Sequence, residues 1–375
     1  MKIALISPPW IAVPPVGYGG IERVVSIIAE GMVQKGHEVT LFATGDSHTS
    51  AYLDFYYKKA RGNNLPLKFN PYNMLNHLYH FFSRSKKKFD IIHNHSGRLA
   101  LFFSHFTETP FLYTLHGSYM KNDSESMYDI ADSGREVLKQ FAHIPYVSIS
   151  NKQREGLPEL NYADTVYNGI ILSEFDFDEK GGDNLLWFGR VTPTKGLDSE
   201  IEVAQHTGKK LHAIYFLDEG DADYFKKEIE PLCNIPSCTL STEVKNIKDK
   251  SDFLRSGKAL LFPIHWDEPF GIVMVEALAC GTPVIAYAKG SVPEVIRDGE
   301  TGFIVNDDEK RGDWIIKKSG MEGLREAVER MYTMPEEKYR LMRRACRQHA
   351  ARHFTIEKMV DEYEEVYSRV IQNGT

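Results

Sequence analysis

Two carboxylates, Glu268 and Glu276, flank a predicted helix start in the segment from Trp266 to Val284. Pro269 and Gly271 favour a chain that turns into a helix, which puts Glu268 in the preceding loop and Glu276 one to two turns inside. One helix N-terminus therefore carries both acids.

Phe270, Gly271 and Ile272 supply backbone N–H groups at that helix start. These groups lack intrahelical partners and can donate to a polar, partly anionic ligand. Glu268 could accept hydrogen bonds from sugar hydroxyls, and Glu276 from the two hydroxyls of a ribose. The alternative is two ordinary glutamates that the helix dipole stabilises.

Arg190 and Lys195 follow an apolar strand that begins near Asn184, and Gly196 closes the turn after them. Open α/β sheets bind ligands at such turns, where a guanidinium and an ammonium suit a diphosphate. Taken singly, each could instead be a surface charge beside an exposed turn.

The two patterns together, Gly-Arg-x4-Lys-Gly and Glu-x7-Glu, resemble the nucleotide-sugar site of the retaining glycosyltransferases of family 4. The run from Lys258 to Val295 most resembles the branch of that family that includes sugar transferases of antibiotic assembly. The resemblance implies that Arg190 and Lys195 hold the donor diphosphate. It also implies that Glu276 holds the ribose and that Glu268 faces the sugar.

Near the N-terminus, a strand and several prolines precede Gly19 and Gly20, which open an amphipathic helix ending near Gly36. These glycines allow a backbone to approach a phosphate or sugar closely. A dinucleotide fingerprint would need a third glycine where Glu22 stands and would follow its strand at once, which argues against a dehydrogenase.

His116 ends a buried strand and matches the family histidine that meets the donor sugar from the first domain. Imidazole can donate or accept there. The preceding strand ends in His93-Asn-His95, for which a metal or nuclease interpretation is rejected because the other ligands and their spacing are absent.

The resemblance covers nearly the whole chain and implies the GT-B fold, with two Rossmann-like, doubly wound parallel-sheet domains that face a central cleft. Residues 1–167 and 355–375 are predicted to form an acceptor-binding domain, and residues 168–354 a nucleotide-sugar-binding domain. A C-terminal helix, with apolar residues at helical spacing in 356–371, would return to the first domain. One departure from the family is the acidic run Asp218–Asp221 in place of a glycine-rich turn.

Composition is consistent with this prediction. The 375 residues exceed a usual single core. A formal charge of −7 argues against a nucleic-acid partner. The four cysteines show no metal pattern and no obvious disulfide framework, which fits a reducing cytoplasm, and no apolar run approaches a membrane span.

Two basic clusters, Lys86–Lys88 and the run Arg343, Arg344, Arg347 and Arg352, could touch acidic headgroups at the inner membrane face. The alternative is a pair of solvated charged faces.

The predicted activity is retaining transfer of a hexosyl group from a UDP- or GDP-sugar to a carbohydrate, lipid-linked or small-molecule hydroxyl acceptor. No cofactor and no metal are expected, because the basic pair supplies the countercharge. The alternatives are a nucleotide-sugar epimerase of the same fold and a non-catalytic nucleotide-sugar-binding subunit. The base, the sugar, the acceptor and the oligomeric state stay open.

Overall fold

The computed structural model describes residues 1–15, 19–62, 70–84, 89–120, 131–233 and 235–374. These residues form two compact units. The first runs from Met1 to Gly169 and resumes at Ile356, and the second comprises Ile170 to Thr355. The roles predicted for the two domains stay predictions.

Each unit is built on a parallel sheet. The strands of the first unit are β1 Lys2–Ile6, β2 Glu38–Ala43, β3 Tyr52–Phe55, β4 Ile91–Asn94, β5 Phe111–Thr114, β6 Tyr146–Ser148 and β7 Tyr162–Thr165. Those of the second are β8 Asn184–Arg190, β9 Leu211–Phe216, β10 Cys238–Ser241, β11 Gly257–Phe262, β12 Val284–Tyr287 and β13 Gly302–Val305.

The strand orders, within the described residues, are 3-2-1-4-5-6-7 and 10-9-8-11-12-13. Both orders reverse direction beside their first strand, between β1 and β4 and between β8 and β11. In a doubly wound sheet this reversal is where the carboxyl ends of neighbouring strands open a ligand-binding crevice. The predicted α/β architecture of two Rossmann-like domains is confirmed.

Helices connect the strands and cover the sheets. In the first unit they are α1 Gly20–Gln34, α2 Pro71–Arg84, α3 Leu101–Ser104, α4 Ala131–Gln140 and α5 Asn151–Glu155. In the second they are α6 Leu197–Thr207, α7 Ala222–Tyr224, α8 Ile247–Arg255, α9 Ile272–Ala279, α10 Val292–Val295, α11 Gly320–Thr333 and α12 Glu336–His353. The last helix, α13 Ile356–Asn373, belongs to the first unit.

The C-terminal helix α13 packs on α1 over one face of the first sheet. Its apolar residues Met359, Tyr363, Val366, Tyr367 and Val370 are buried, which confirms the face predicted from helical spacing. The two helices approach closely at Gly31, where a Cβ atom would clash with the side chain of Val360. The return of the chain to its first domain is therefore a packed core contact.

The predicted basic surface on α12 is wrong for two of its four arginines. Arg343 is fully buried and donates to the carbonyl oxygens of Asp178, Gly257 and Arg255. Arg347, partly buried, donates to the carbonyl oxygens of Phe175 and Ala279. Both guanidinium groups donate hydrogen bonds to backbone carbonyl oxygens inside the second unit, so they are unavailable to lipid headgroups.

The other charge and cysteine predictions have mixed outcomes. The Lys86–Lys88 cluster lies outside the described residues. Cys233 and Cys238 form a disulfide, so the prediction of no disulfide framework is wrong for this pair, whereas Cys280 and Cys346 are buried free thiols. No helix in the described ranges is long and apolar enough to cross a membrane.

Candidate functional site

The predicted donor-site residues of the second unit gather where its strand order reverses. Arg190 is the last residue of β8, and the loop that carries Glu268 follows β11, the neighbouring strand. Parallel neighbours end at the same sheet edge, so this topology brings together segments that are far apart in sequence.

The turn that carries Lys195 is tied to the loop after β11. Residues Pro193–Lys195 form a short 3₁₀ turn, and Gly196 adopts a left-handed conformation with φ of 72° beside the backbone of Pro263. The His265 amide donates to the carbonyl oxygen of Thr194 over 2.7 Å. A side chain at position 196 would separate the two segments.

Lys195 and Glu268 form the central ion pair of the site, with Nζ 2.6 Å from Oε2. Both side chains are mostly buried, at 19% and 13% exposure. The Lys195 ammonium also lies 4.4 Å from the centre of the Trp266 ring, within the range of a cation–π interaction. The two sequence motifs therefore meet in the folded chain.

Backbone contacts fix the position of the Glu268 loop. The Ser291 amide donates to the carbonyl oxygen of Glu268 over 2.9 Å, and the Gly290 amide donates to Asp267 Oδ1 over 2.9 Å. Gly290 has a φ of 54° and packs directly on the Glu268 backbone, so a Cβ atom would not fit. The loop after β12 therefore fixes the position of the Glu268 backbone.

Glu276 lies inside α9, as predicted, and is almost fully buried. Its Oε2 atom lies 2.5 Å from Nζ of Lys250, a residue of α8 that the sequence analysis missed. The Lys250 ammonium also lies 4.4 Å from the centre of the Phe188 ring. A lone lysine in an amphipathic helix gives no sequence signal of this partnership.

Arg190 pairs with the acidic run that departs from the family pattern. Its Nη1 atom lies 3.4 Å from Oδ2 of Asp218, at the end of β9, and Asp218 is more than half exposed. From the sequence, acids at this turn are expected not to attract a diphosphate and to leave the base and sugar contacts on that side open. The Arg190 guanidinium pairs with Asp218 in this structure.

Phe270, Gly271 and Ile272 form the start of α9. Phe270 is buried and its carbonyl oxygen accepts from the Ser291 hydroxyl over 2.8 Å. Gly271 caps the helix with a φ of 69°, and a Cβ atom there would lie 2.7 Å from the Met274 side chain. Ile272 is the first helical residue.

In the first unit, Gly19 and Gly20 lie at the start of α1, after β1. Gly17 and Tyr18 of the same motif lie outside the described residues. A Cβ atom on Gly19 would lie 2.6 Å from Pro15, whereas one on Gly20 would meet no described atom within 4 Å. The helix N-terminus is thus accessible at Gly20.

His116 ends a buried chain of histidines. Its Nε2 atom lies 2.8 Å from Nδ1 of His95, and Nε2 of His95 lies 3.2 Å from Nδ1 of His93. The chain continues from His93 to the Tyr367 hydroxyl, at 2.7 Å, and to Thr114 Oγ1, at 2.7 Å. The sequence analysis noticed His93 and His95 but assigned them no role.

Burial keeps these rings neutral. It lowers the pKa of His116 to about 4 and holds the pKa values of His93 and His95 well below the ordinary histidine value. Neighbouring histidines lower the pKa values of His93 and His95 further. In the described part of the chain, no group of three or more histidine, cysteine or acidic side chains is placed to hold a metal ion.

Comparison with known proteins identifies the family. Residues 18–174 match the family model described as Glycosyltransferase Family 4, and residues 174–317 match the one described as Glycosyl transferases group 1. The chain is a family 4-like glycosyltransferase. Among similar proteins, it is 26% identical over 334 residues to the phosphatidyl-myo-inositol mannosyltransferase of Mycobacterium tuberculosis, covering 81% of this chain and 82% of that one.

Solved structures share the fold of this glycosyltransferase. A sucrose-phosphate synthase from Thermosynechococcus elongatus superposes with a TM-score of 0.80 at 17% identity, over all of both chains. The Anabaena protein HepE in complex with UDP-glucose superposes with a TM-score of 0.70 at 16% identity, over 98% of this chain and all of the other. These similarities support the GT-B fold.

Proposed function

We propose that this glycosyltransferase moves a hexosyl group from a nucleoside diphosphate sugar to a hydroxyl acceptor, with retention of the anomeric configuration. The observation that carries the proposal is the ion pair between Lys195 and Glu268 at the reversal of the second sheet, where Arg190 also ends β8. A cation for the leaving diphosphate and an acid for the sugar then lie in direct contact.

The two cations would act on the leaving group. As the bond between the sugar and the diphosphate breaks, Arg190 and Lys195 would stabilise the departing negative charge. Preorganised donors of this kind lower the barrier because the protein does not reorganise during the reaction. Losing one such contact should raise the barrier by about 3 to 4 kcal/mol.

The acids would orient the donor. Glu276 holds Lys250 through Oε2, so we assign Oε1 to the ribose hydroxyls. We assign Glu268 to the donor sugar hydroxyls, as an orienting group and not as a covalent nucleophile. The role of His116 toward the donor sugar rests on the family resemblance.

The names of similar proteins support a nucleotide sugar as the donor. They leave open whether its base is uracil or guanine. HepE is described in complex with UDP-glucose, and the mycobacterial relative is a mannosyltransferase. UDP- and GDP-sugars are therefore the first donors to test. Membership of the antibiotic-assembly branch stays a prediction, as does the choice among carbohydrate, lipid-linked and small-molecule acceptors.

We propose that the reaction needs neither a cofactor nor a divalent metal, because Arg190 and Lys195 provide positive charge for the diphosphate. A cytoplasmic location, with or without contact to the inner membrane face, is proposed as well. The Cys233–Cys238 disulfide bears on this location, since cytosolic thiols are normally kept reduced. Alkylation of freshly extracted protein without reductant tests the location. Labelling of both cysteines would show that this disulfide is reduced in the cell and would support the cytoplasmic proposal, whereas labelling of neither would contradict it.

The first experiment is thermal stabilisation of the purified protein by UDP-, GDP- and ADP-sugars, with and without a chelator. A ligand that binds only the folded state raises Tm by mass action. We expect a shift with one nucleotide sugar that survives the chelator. Loss of the shift with chelator would overturn metal independence, and no shift with any donor would overturn the donor assignment.

Variants then test each role. Titration calorimetry should show weaker donor binding for Arg190→Ala and Glu276→Ala, whereas Glu268→Ala should mainly lower turnover. Lys226→Ala, an exposed lysine, serves as the charge control. Wild-type donor affinity in the first two variants would refute the site.

Product analysis separates the alternative functions. The proposed transferase gives a product in which NMR shows the donor's anomeric configuration. An isomerised donor that forms without acceptor would identify an epimerase, and donor binding without any turnover would identify a binding subunit.

A further inference from the structure

The loop after β13 is ordered by one asparagine. Asn306 Oδ1 accepts from the amides of Arg311 and Gly312 over 2.9 and 3.1 Å, and its Nδ2 donates to the Gly312 carbonyl oxygen over 2.9 Å. Ile316, further along the loop, is fully buried. Residues 306–318 therefore keep a defined conformation at the edge of the second sheet.

Asp307 of this loop holds the side chain of Lys289. Its Oδ2 atom lies 2.9 Å from Lys289 Nζ, and both side chains are mostly buried, at 13% and 16% exposure. Arg311 Nε lies 3.0 Å from Oδ1 of the same acid. Burial alone would raise the pKa of Asp307, but the hydrogen bonds from Arg311 and Lys289 hold that pKa below its ordinary value. Asp307 therefore stays charged and keeps the ammonium in place.

Lys289 in turn contacts the loop that carries Glu268. Its Nζ atom donates to the His265 carbonyl oxygen over 3.4 Å. The amide of the next residue, Gly290, donates to Asp267 Oδ1 over 2.9 Å. Residues 265–268 are therefore held at two points by consecutive residues of the loop after β12.

The other points that fix residues 265–268 include two backbone hydrogen bonds. The His265 amide donates to the Thr194 carbonyl oxygen over 2.7 Å, and the Ser291 amide donates to the Glu268 carbonyl oxygen over 2.9 Å. A substitution leaves those backbone groups in place. Lys289 adds a side-chain contact, which a single substitution removes.

We propose that Lys289 is a positioning residue for the transfer reaction: held by Asp307, it fixes residues 265–268 so that Glu268 keeps its orientation toward the donor sugar. The catalytic part of this proposal rests on the proposed transferase function. The effect of Lys289 on the loop is a property of the protein that can be measured without substrate.

Trp266 lies in the loop and reports its position. In ¹⁹F nuclear magnetic resonance of protein labelled with fluorotryptophan, the signal that disappears in Trp266→Phe assigns the residue. Lys289→Met should shift or broaden the Trp266 signal, whereas Lys289→Arg, which keeps a cation beside Asp307, should leave it close to the wild type. An unchanged Trp266 signal in a folded Lys289→Met variant would overturn the proposal.

Arg311→Met is the matched control. Arg311 shares Asp307 with Lys289 but, in the described part of the chain, makes no hydrogen bond to residues 265–268. Its loss should change the Trp266 signal much less than Lys289→Met does, and an equal change would overturn the proposal. If Lys289→Met does not fold, Asp307→Asn removes the charge that holds the ammonium and should disturb the Trp266 signal instead. An unchanged signal in that variant would overturn the proposal as well.

Kinetics separate positioning from structural support. Lys289→Met should lower kcat about 10- to 100-fold, the range expected when a reacting group is misplaced by about 1 Å. Donor affinity in calorimetry should change much less, because Arg190 and Glu276 lie outside residues 265–268. In a Glu268→Gln background, Lys289→Met should lower kcat much less than in the wild type. Equal losses in the two backgrounds would show that Lys289 does not act through Glu268.

The two readouts also distinguish this proposal from the proposed function. A folded wild-type protein with no transferase activity would refute the proposed function, and the Trp266 signal would still decide whether Lys289 fixes the loop. A shifted Trp266 signal with wild-type kcat in Lys289→Met would refute the positioning role while leaving the transferase function intact.

Discussion

Glu200 offers a sharp test of the electrostatics beside the donor site. It lies in α6, directly after the Lys195 turn, and is fully buried. In the described part of the chain, neither of its carboxylate oxygens has a hydrogen-bond partner. Burial raises the pKa of Glu200 well above its ordinary value, and the charge of nearby Asp198 raises it further.

The sign of the pH dependence follows from proton linkage. Below the unfolded-state pKa of about 4.3, Glu200 is protonated in both states and the pH does not affect the balance. As the pH rises above that value, the unfolded chain loses the proton while the folded chain retains it. The free energy of unfolding then falls by about 1.4 kcal/mol per pH unit from this group, until the folded-state pKa is passed.

Glu200→Gln should remove this slope. The amide has a similar size and does not ionise, so the variant should match the wild type near pH 4 and exceed its stability at neutral pH. Leaving a buried polar group unpaired costs about 1 to 3 kcal/mol, and an ionised carboxylate costs more. At about 1.4 kcal/mol for each pH unit above about 4.3, the gain at pH 7 should reach at most about 4 kcal/mol. Urea denaturation across a pH series measures it.

The control is Glu202→Gln on the same helix. Glu202 is exposed and pairs with Arg325 over 2.9 Å, a surface ion pair worth less than about 1 kcal/mol. The Glu202→Gln variant tests whether the loss of any negative charge on this helix changes the stability in the same way. Parallel stability profiles for wild type and Glu200→Gln from pH 4 to pH 8 would refute the reasoning.

Three further predictions concern packing and charge. Arg343→Leu should destabilise the protein by about 3 to 5 kcal/mol in urea denaturation, because several buried carbonyl oxygens lose their donor. Gly31→Ala should lower Tm because its methyl group would clash with Val360, at a cost of about 1 to 3 kcal/mol, and Val360→Ala in the same chain should restore it. Lys250→Met should cost about 3 to 5 kcal/mol and weaken donor binding in calorimetry, because the Glu276 carboxylate loses its buried partner.

Matched variants check those three. Arg344→Leu removes one ion pair with Glu179 at the surface of the same helix and should change stability by less than about 1 kcal/mol. Lys226→Met controls for charge in the Lys250 experiment. A Gly31→Ala variant that Val360→Ala does not rescue, or an Arg343→Leu variant as stable as Arg344→Leu, would contradict the packing arguments.

The buried strands and the donor motifs were predictable because their sequence signals are local. The apolar run at β8 and the glycine at Gly271 follow from hydrophobic patterning and turn chemistry. The edge strands β3, β7 and β10 were not located. Their side chains are half-exposed, so polar residues such as Asp54 and Asp164 interrupt the apolar pattern.

Partnerships between distant segments were not predictable. The sequence from Asn306 to Lys318 follows no recognisable pattern, yet Asn306 organises it by accepting from the amides of Arg311 and Gly312. Asp307 adds an ion pair with Lys289, which lies just after β12. Such contacts depend on how the loops meet in three dimensions, and single residues carry no trace of them in sequence.

When the sequence is considered alone, the charged residues of the donor site resemble ordinary surface residues. In the fold, each of the cations is paired with an acid. Lys195 pairs with Glu268, Lys250 with Glu276 and Arg190 with Asp218, so each cation has an acid beside it. These pairs hold the cations in place, because an unpaired charge at a half-buried site is costly.

A diphosphate must then compete with those acids. Asp218 is the most exposed of the three acids and its contact with Arg190, at 3.4 Å, is the longest, so it can be displaced at the lowest cost. Glu268 is mostly buried and its loop is fixed by Gly290 and Ser291, so it should stay close to Lys195. Donor binding should therefore exchange Asp218 for phosphate at Arg190 while Lys195 keeps Glu268 oriented toward the sugar. If so, Asp218→Asn should strengthen donor affinity in calorimetry, whereas an unchanged or weaker affinity would show that Asp218 does not compete with the diphosphate.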